Sequence, residues 1–156
     1  MRASRPRMFG SVVEPVLLPW EWALDRLATS PQYWIATTRP DGRPHTRPVW
    51  GVLLDETPWF STGSLAAGWI TEGTPMTLHT ESGQQVVILE GTATAATELE
   101  PICAAYNAKY AEQLTPDTLP GPFWGVRIEV AFGWMAAPTF VDGGSVFHGT
   151  ATRWAP

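Results

Sequence analysis

Few residues in this chain are equipped for chemistry, and their spacing excludes more than it admits. The 156-residue sequence contains three histidines, His45, His79 and His148, and one cysteine, Cys103. The histidines are widely spaced and lack the neighbouring carboxylates or cysteines of a metal site, so no metal is expected. Asp41 and Asp55 are turn residues first, while Glu81 and Glu90 fall in strand patterns and would need burial to act as general bases. No phosphate-cradling P-loop, Gly-x-Ser-x-Gly elbow or paired-cysteine motif is present, so hydrolase and kinase readings have no support. Two segments are better suited to holding a ligand. Pro44 and Pro48 interrupt a strand pattern and leave its backbone groups free for another partner. The small-residue turn Ser61-Thr62-Gly63 lets backbone donors approach an anion closely, and it would serve equally as an ordinary capped strand-to-helix turn.

Composition narrows the ligand. A net charge of -5 and a pI near 5.1 argue against a surface built to neutralise phosphates, so small molecules are favoured over nucleic acid or an anionic membrane. No apolar run reaches the ~18 residues of a membrane span, the basic first residues lack a secretory pattern, and a cytoplasmic protein is expected. The nine Trp residues serve either as packing bulk or as an aromatic wall for a planar ring.

These side chains must be positioned by a mainly β chain. Residues 1–18 carry Pro, Arg and Gly without periodicity and are expected to be an N-terminal arm, with residues 19–156 forming one domain. Pro19 to Ser30 places Trp20, Leu24 and Leu27 on one helical stripe. Strands are expected at Tyr33–Thr38, Arg43–Leu54, Pro58–Thr62, Met76–Glu81, Val86–Thr94, Trp124–Met135 and, briefly, Ser145–His148. Pro40-Asp41-Gly42 turns the first pair into a hairpin, and the apolar run Val86-Val87-Ile88-Leu89 marks a central strand. Gly63 to Gly73 reads as a loop with a short helix, and Leu99 to Leu114 as a second main helix, broken by the prolines that follow. Mostly antiparallel strands with helices outside point to a closed or nearly closed barrel.

In order and spacing, a set of short motifs resembles the split-barrel flavin and deazaflavin reductases, the superfamily of pyridoxamine 5'-phosphate oxidase, and most of all its short actinobacterial members. The carrying residues are Ala36-Thr37-Thr38, Pro40 to His45, Pro48-Val49-Trp50, Phe60 to Gly63, Leu78-His79 and Glu90-Gly91. Tyr106 with Lys109-Tyr110, and Thr152-Arg153-Trp154, complete the set. The resemblance implies an FMN-binding type of split β-barrel with six or seven antiparallel strands, and a homodimer with a cofactor cleft at the subunit interface. It also implies that Thr46, Arg47, Pro48, Val49 and Trp50 run beside a tricyclic ring, and that Ser61, Thr62, Gly63 and Ser64 lie near the ribityl chain or phosphate. Trp69 is expected to line the same pocket. The implied cofactor is FMN or the deazaflavin coenzyme F-420.

One departure bears on that cofactor. Such proteins commonly clamp the phosphate with a Lys and an Arg after the turn, yet Ala66 and Gly68 fall nearest those positions, and no Lys or Arg occurs between Arg47 and Lys109. Two lost charge-assisted contacts cost about 1.5–3 kcal/mol each. Three readings follow. The chain is a flavin- or deazaflavin-dependent oxidoreductase acting on a small, largely uncharged unsaturated or aromatic molecule. Alternatively, it is a cofactor-free relative that catalyses a cyclisation or isomerisation in secondary metabolism. The third is a non-catalytic small-molecule binder. The catalytic residues are left open.

Overall fold

In a computed structural model, the description covers residues 1–8, 14–63, 68–119, 121–136 and 146–156. The strands are β1 (Arg2–Ser4), β2 (Tyr33–Thr38), β3 (Pro44–Val49), β4 (Gly51–Leu54) and β5 (Thr57–Ser61), then β6 (Pro75–Thr80), β7 (Gln85–Ala95), β8 (Phe123–Met135) and β9 (Thr152–Ala155). Helix α1 spans Trp20–Thr29 and α2 spans Glu100–Tyr110. All nine strands pair antiparallel in one sheet of order β1-β9-β8-β7-β6-β2-β3, with β4 joined to β5 and β5 to β8. This is the expected mainly β split barrel, with two more strands than its upper expectation of seven. One is added because the strand read over Arg43–Leu54 breaks at Trp50 into β3 and β4. The other is β1, within the segment expected to be an unpacked arm, which pairs Arg2 with Ala155 and Ser4 with Arg153.

The long strand β8 joins the parts. One of its edges pairs with β7 throughout, while the other pairs with β5 over Phe123–Gly125 and with β9 over Ala131–Gly133. The seam between β5 and β9 is the split. Alternation along β2, β6 and β7 turns Tyr33, Ile35, Leu78, Val87 and Leu89 into the core, where α1 adds Trp20, Ala23 and Leu27. The central apolar run is in fact buried on one face only: Val87 and Leu89 are inside, but Val86 and Ile88 are half-exposed. The register places Pro48, Trp34, His79, Ile88, Phe132 and Arg153 in one row across the sheet's outer face.

Two expected boundaries move. Residues 146–150 are helical, so the last strand lies at Thr152–Ala155 and not at Ser145–His148; Ser145 itself is outside the described residues. Thr152 drives this shift, since its hydroxyl accepts from the Leu18 N–H and donates to the Thr150 carbonyl. Helix α2 stops at Tyr110 because Ala111 adopts a left-handed conformation, φ 55°, and the Asn107 amide holds both the N–H and the carbonyl of Leu114. Among the described residues, no helix is long and apolar enough to cross a membrane.

Candidate functional site

The break between β3 and β4 opens a cavity of about 420 Å³. Pro48, Val49 and Trp50 form one wall, and Ser61, Thr62 and Gly63, at the end of β5, form the opposite one. Tyr106, Leu114 and Phe123 close the floor, with Glu112 at the rim. Pro48 has no N–H to give, and among the described residues β3 pairs on one edge only, with β2. Gly51 makes the sharp change of direction possible. A Cβ there would fall on the Tyr33 ring and 2.8 Å from the Trp59 carbonyl oxygen. Tyr33 in turn is fixed by its hydroxyl donating to the Leu27 carbonyl at 2.7 Å.

Three side chains one helical turn apart on α2 hold the break. The Tyr106 hydroxyl donates to the Trp50 carbonyl and accepts from the Ser61 N–H at 3.2 Å, so one group ties the two walls together. The Tyr110 hydroxyl accepts from the Gly51 N–H at 2.9 Å and lies 2.9 Å from the Pro31 and Gly51 carbonyl oxygens. Lys109 donates to the Gly51 carbonyl at 2.7 Å and sits over the rings of Tyr33 and Tyr110. Burial pushes the Tyr106 and Tyr110 phenols up and the Lys109 ammonium down from their ordinary values. The phenols therefore stay protonated and able to donate. Trp50, half-exposed, stacks on Tyr110 with centroids 4.6 Å apart and planes at 7°.

Six of the residues expected at the site thus share one cavity: Pro48, Val49, Trp50, Ser61, Thr62 and Gly63. Thr46 lies on the exposed side of β3, and Ser64 is outside the described residues. Trp69, expected in the same pocket, does not line it. Its indole N–H donates to the Thr37 hydroxyl at 3.3 Å and its ring meets His45 edge-on at 5.3 Å, which carries it to the far end of β3. Tyr106, Glu112, Leu114 and Phe123 were not anticipated as lining residues. The i, i+3, i+4 spacing of Tyr106, Lys109 and Tyr110 was the available signal, because it stacks three long polar side chains on one helical stripe.

Charge is distributed unevenly around the cleft. Among the described lining residues Glu112 is the only charged one. Arg47, next to Pro48, has Nε, Nη1 and Nη2 all screened from solvent and without a hydrogen-bond partner. Burial lowers its guanidinium from the ordinary value. An unpaired charge that is partly buried is destabilising, by about 1 kcal/mol for a side chain only partly withdrawn from water, until a counter-charge arrives. Two residues along the same face, His45 accepts at Nδ1 from the Arg39 guanidinium at 3.1 Å, if the imidazole is neutral, while its Nε2 is buried without a partner.

The fold recurs in solved structures of low sequence identity. A conserved hypothetical protein from Mycobacterium tuberculosis is similar at a TM-score of 0.63 and 20% identity, over 81% of this chain and 89% of that one. An FAD-binding protein from Mycobacterium smegmatis gives 0.55 and 20%, over 74% and 94% of the two chains. A NimC/NimA family protein from Clostridium acetobutylicum gives 0.59 and 15%, over 87% and 91%. At such identities the likeness is one of fold alone, the split barrel. No protein-family model and no curated protein matches the chain.

Proposed function

We propose that the chain is an oxidoreductase-like protein that holds a flavin or deazaflavin ring against the Val49–Trp50 edge and acts on a small, largely uncharged unsaturated or aromatic molecule. The observation that carries this reading is the meeting of Pro48-Val49-Trp50 with Ser61-Thr62-Gly63 across one cavity; Arg47, one residue before Pro48 on β3, does not line it but carries a guanidinium without a hydrogen-bond partner. The residues suit the group in two parts. Val49, Leu114 and Phe123 offer apolar surface to a flat ring, and Trp50 adds an exposed aromatic face. Arg47 offers an anion the charge that Ala66 and Gly68 do not. When bound, such a ring supplies hydride transfer. The chain's own task is to orient ring and substrate and to exclude water, with Tyr106 fixing the distance between the walls.

A second copy of the chain is the proposed cover of the cleft. Trp34, Ile88 and Phe132 are partly buried apolar members of the row on the outer sheet face, which also contains His79 and Arg153. That row ends at Pro48, which also lines the cavity, so a copy seated on it would border the ligand. One observation favours the cofactor-free alternative: Glu112, an acid, is the only charged group lining the described cavity. It would then be the proton carrier for an isomerisation or cyclisation.

Titration with riboflavin, FMN and F-420, followed by visible absorbance and fluorescence, decides between these readings. We expect FMN to bind at least about tenfold more tightly than riboflavin, equivalent to about 1.4 kcal/mol, and Arg47→Met to erase the difference. Failure of all three ligands to bind would overturn the cofactor reading in favour of the cofactor-free one.

A further inference from the structure

Unsatisfied polar atoms are concentrated in one hairpin. Of the buried side-chain nitrogens and oxygens without a partner among the described residues, five belong to Arg39, His45 and Arg47, and the other two are scattered at Thr80 and Trp124. All five can serve as donors. Arg39 Nε and the three Arg47 nitrogens carry hydrogens in any state. In neutral His45, the bond from Arg39 to Nδ1 leaves the ring proton on Nε2, so that atom donates as well. None of the described ion pairs includes Arg39 or Arg47, and the nearby carboxylate of Asp41 is bonded to Arg43. A chain with a net charge of -5 therefore gathers two guanidiniums and an imidazole with no direct ion pair among the described residues, Asp41 reaching Arg39 only through its longer-range charge.

We propose that Arg39, His45 and Arg47 form a second anion subsite, continuous with the cleft, for a ligand whose tail carries two anionic groups. This rests on the reading of the cleft as a ligand site, because the tail must enter from there. Val49, Arg47 and His45 lie on one face of β3 at two-residue intervals, about 6.6 Å apart along the strand. Val49 lines the cavity whereas Arg47, His45 and Arg39 do not, so the tail would leave the cavity along the edge of β3 away from β2, which has no strand partner among the described residues. A single phosphate at Arg47 leaves the His45 and Arg39 donors unused, whereas a second anionic group uses them. Diphosphate, as in FAD, and phosphate plus carboxylate, as in F-420, are two sources of that chemistry.

The test uses the full chain and calorimetric titration with inorganic phosphate and inorganic pyrophosphate, then with FMN, FAD and F-420. We expect pyrophosphate to bind at least tenfold more tightly than phosphate, and Arg39→Met and His45→Gln each to lose most of that margin. FMN affinity should change less than threefold in either variant, which also shows that the variants fold. FAD tighter than FMN with F-420 unchanged assigns the second group as diphosphate, and the reverse assigns it as carboxylate. Equal binding of phosphate and pyrophosphate, or a margin that survives in both variants, overturns the subsite. Pyrophosphate binding without any flavin or deazaflavin binding leaves the subsite standing and overturns the cofactor reading instead.

Discussion

Lys109 on α2 and Arg47 on β3 are both partly buried cations outside the described ion pairs. Lys109 has a carbonyl at 2.7 Å and two aromatic rings, whereas Arg47 has no partner for any of its three nitrogens. The same kind of charge is thus a structural tie in one place and an unmet demand in the other. A scaffold group is satisfied within the fold, and the proposed anion site rests on a group that the described fold leaves unsatisfied.

Substitutions with opposite signs sharpen the contrast. Lys109→Met should destabilise the protein by about 1 kcal/mol in urea denaturation, since it removes the ammonium donor from the Gly51 carbonyl and leaves only the Tyr110 hydroxyl, shared with Pro31, to meet it. An unchanged midpoint would mean that the two tyrosines alone maintain the break. Arg47→Met should stabilise the ligand-free protein by roughly 1 kcal/mol, because it replaces an unpaired guanidinium with an apolar side chain of similar length. A loss of stability would show that Arg47 is already paired in solution, and the contrast would fail.

The smallest expected effect is in the pH dependence of stability. Burial and the neighbouring charges of Arg47 and Arg39 hold the His45 imidazole below its ordinary value. A depressed imidazole favours the folded state fully above the ordinary histidine pKa, about 6.5, and that contribution is lost as pH falls through the folded value. Thr37 and the Trp69 ring also lie in this cluster, and neither titrates in that range. Stability should therefore decline below about pH 6.5 with a slope that is shallower in His45→Gln. Parallel slopes would place the imidazole in open solvent.

How much of this was legible beforehand differs from element to element, for physical reasons. The aromatic and β-branched strand pattern of Tyr33–Thr38 and the Trp20-to-Leu27 stripe marked the elements, so β2 and α1 fall where expected, although the alternating burial along β2 and the burial of Ala23 emerge only in the fold. The break at Trp50 was hidden because Val49 to Leu54 is an unbroken apolar run apart from Gly51, and the side chains that impose the break lie some 60 residues away on α2. The two walls of the cleft were legible through their proline and small-residue turn. Its floor was not, since Tyr106 and Phe123 join it through tertiary packing alone. Trp69 was misplaced because proximity to the turn in sequence stood in for proximity in space. The unpaired state of Arg47 leaves no mark in sequence at all.

The long strand β8 has a consequence for biosynthesis. The β4–β5 hairpin is complete once Ser61 has been made, but its neighbour on the other side begins at Phe123. At ~5–20 residues per second the ribosome takes several seconds to deliver that partner. Throughout that interval Phe60, destined for full burial, has only half of its sheet. Tyr106, which ties the two walls, also arrives late, on a helix made just before β8. The cleft is therefore assembled only after β8 has been made although its first wall is made early, and the nascent chain presents an aromatic hairpin to chaperones until β8 emerges.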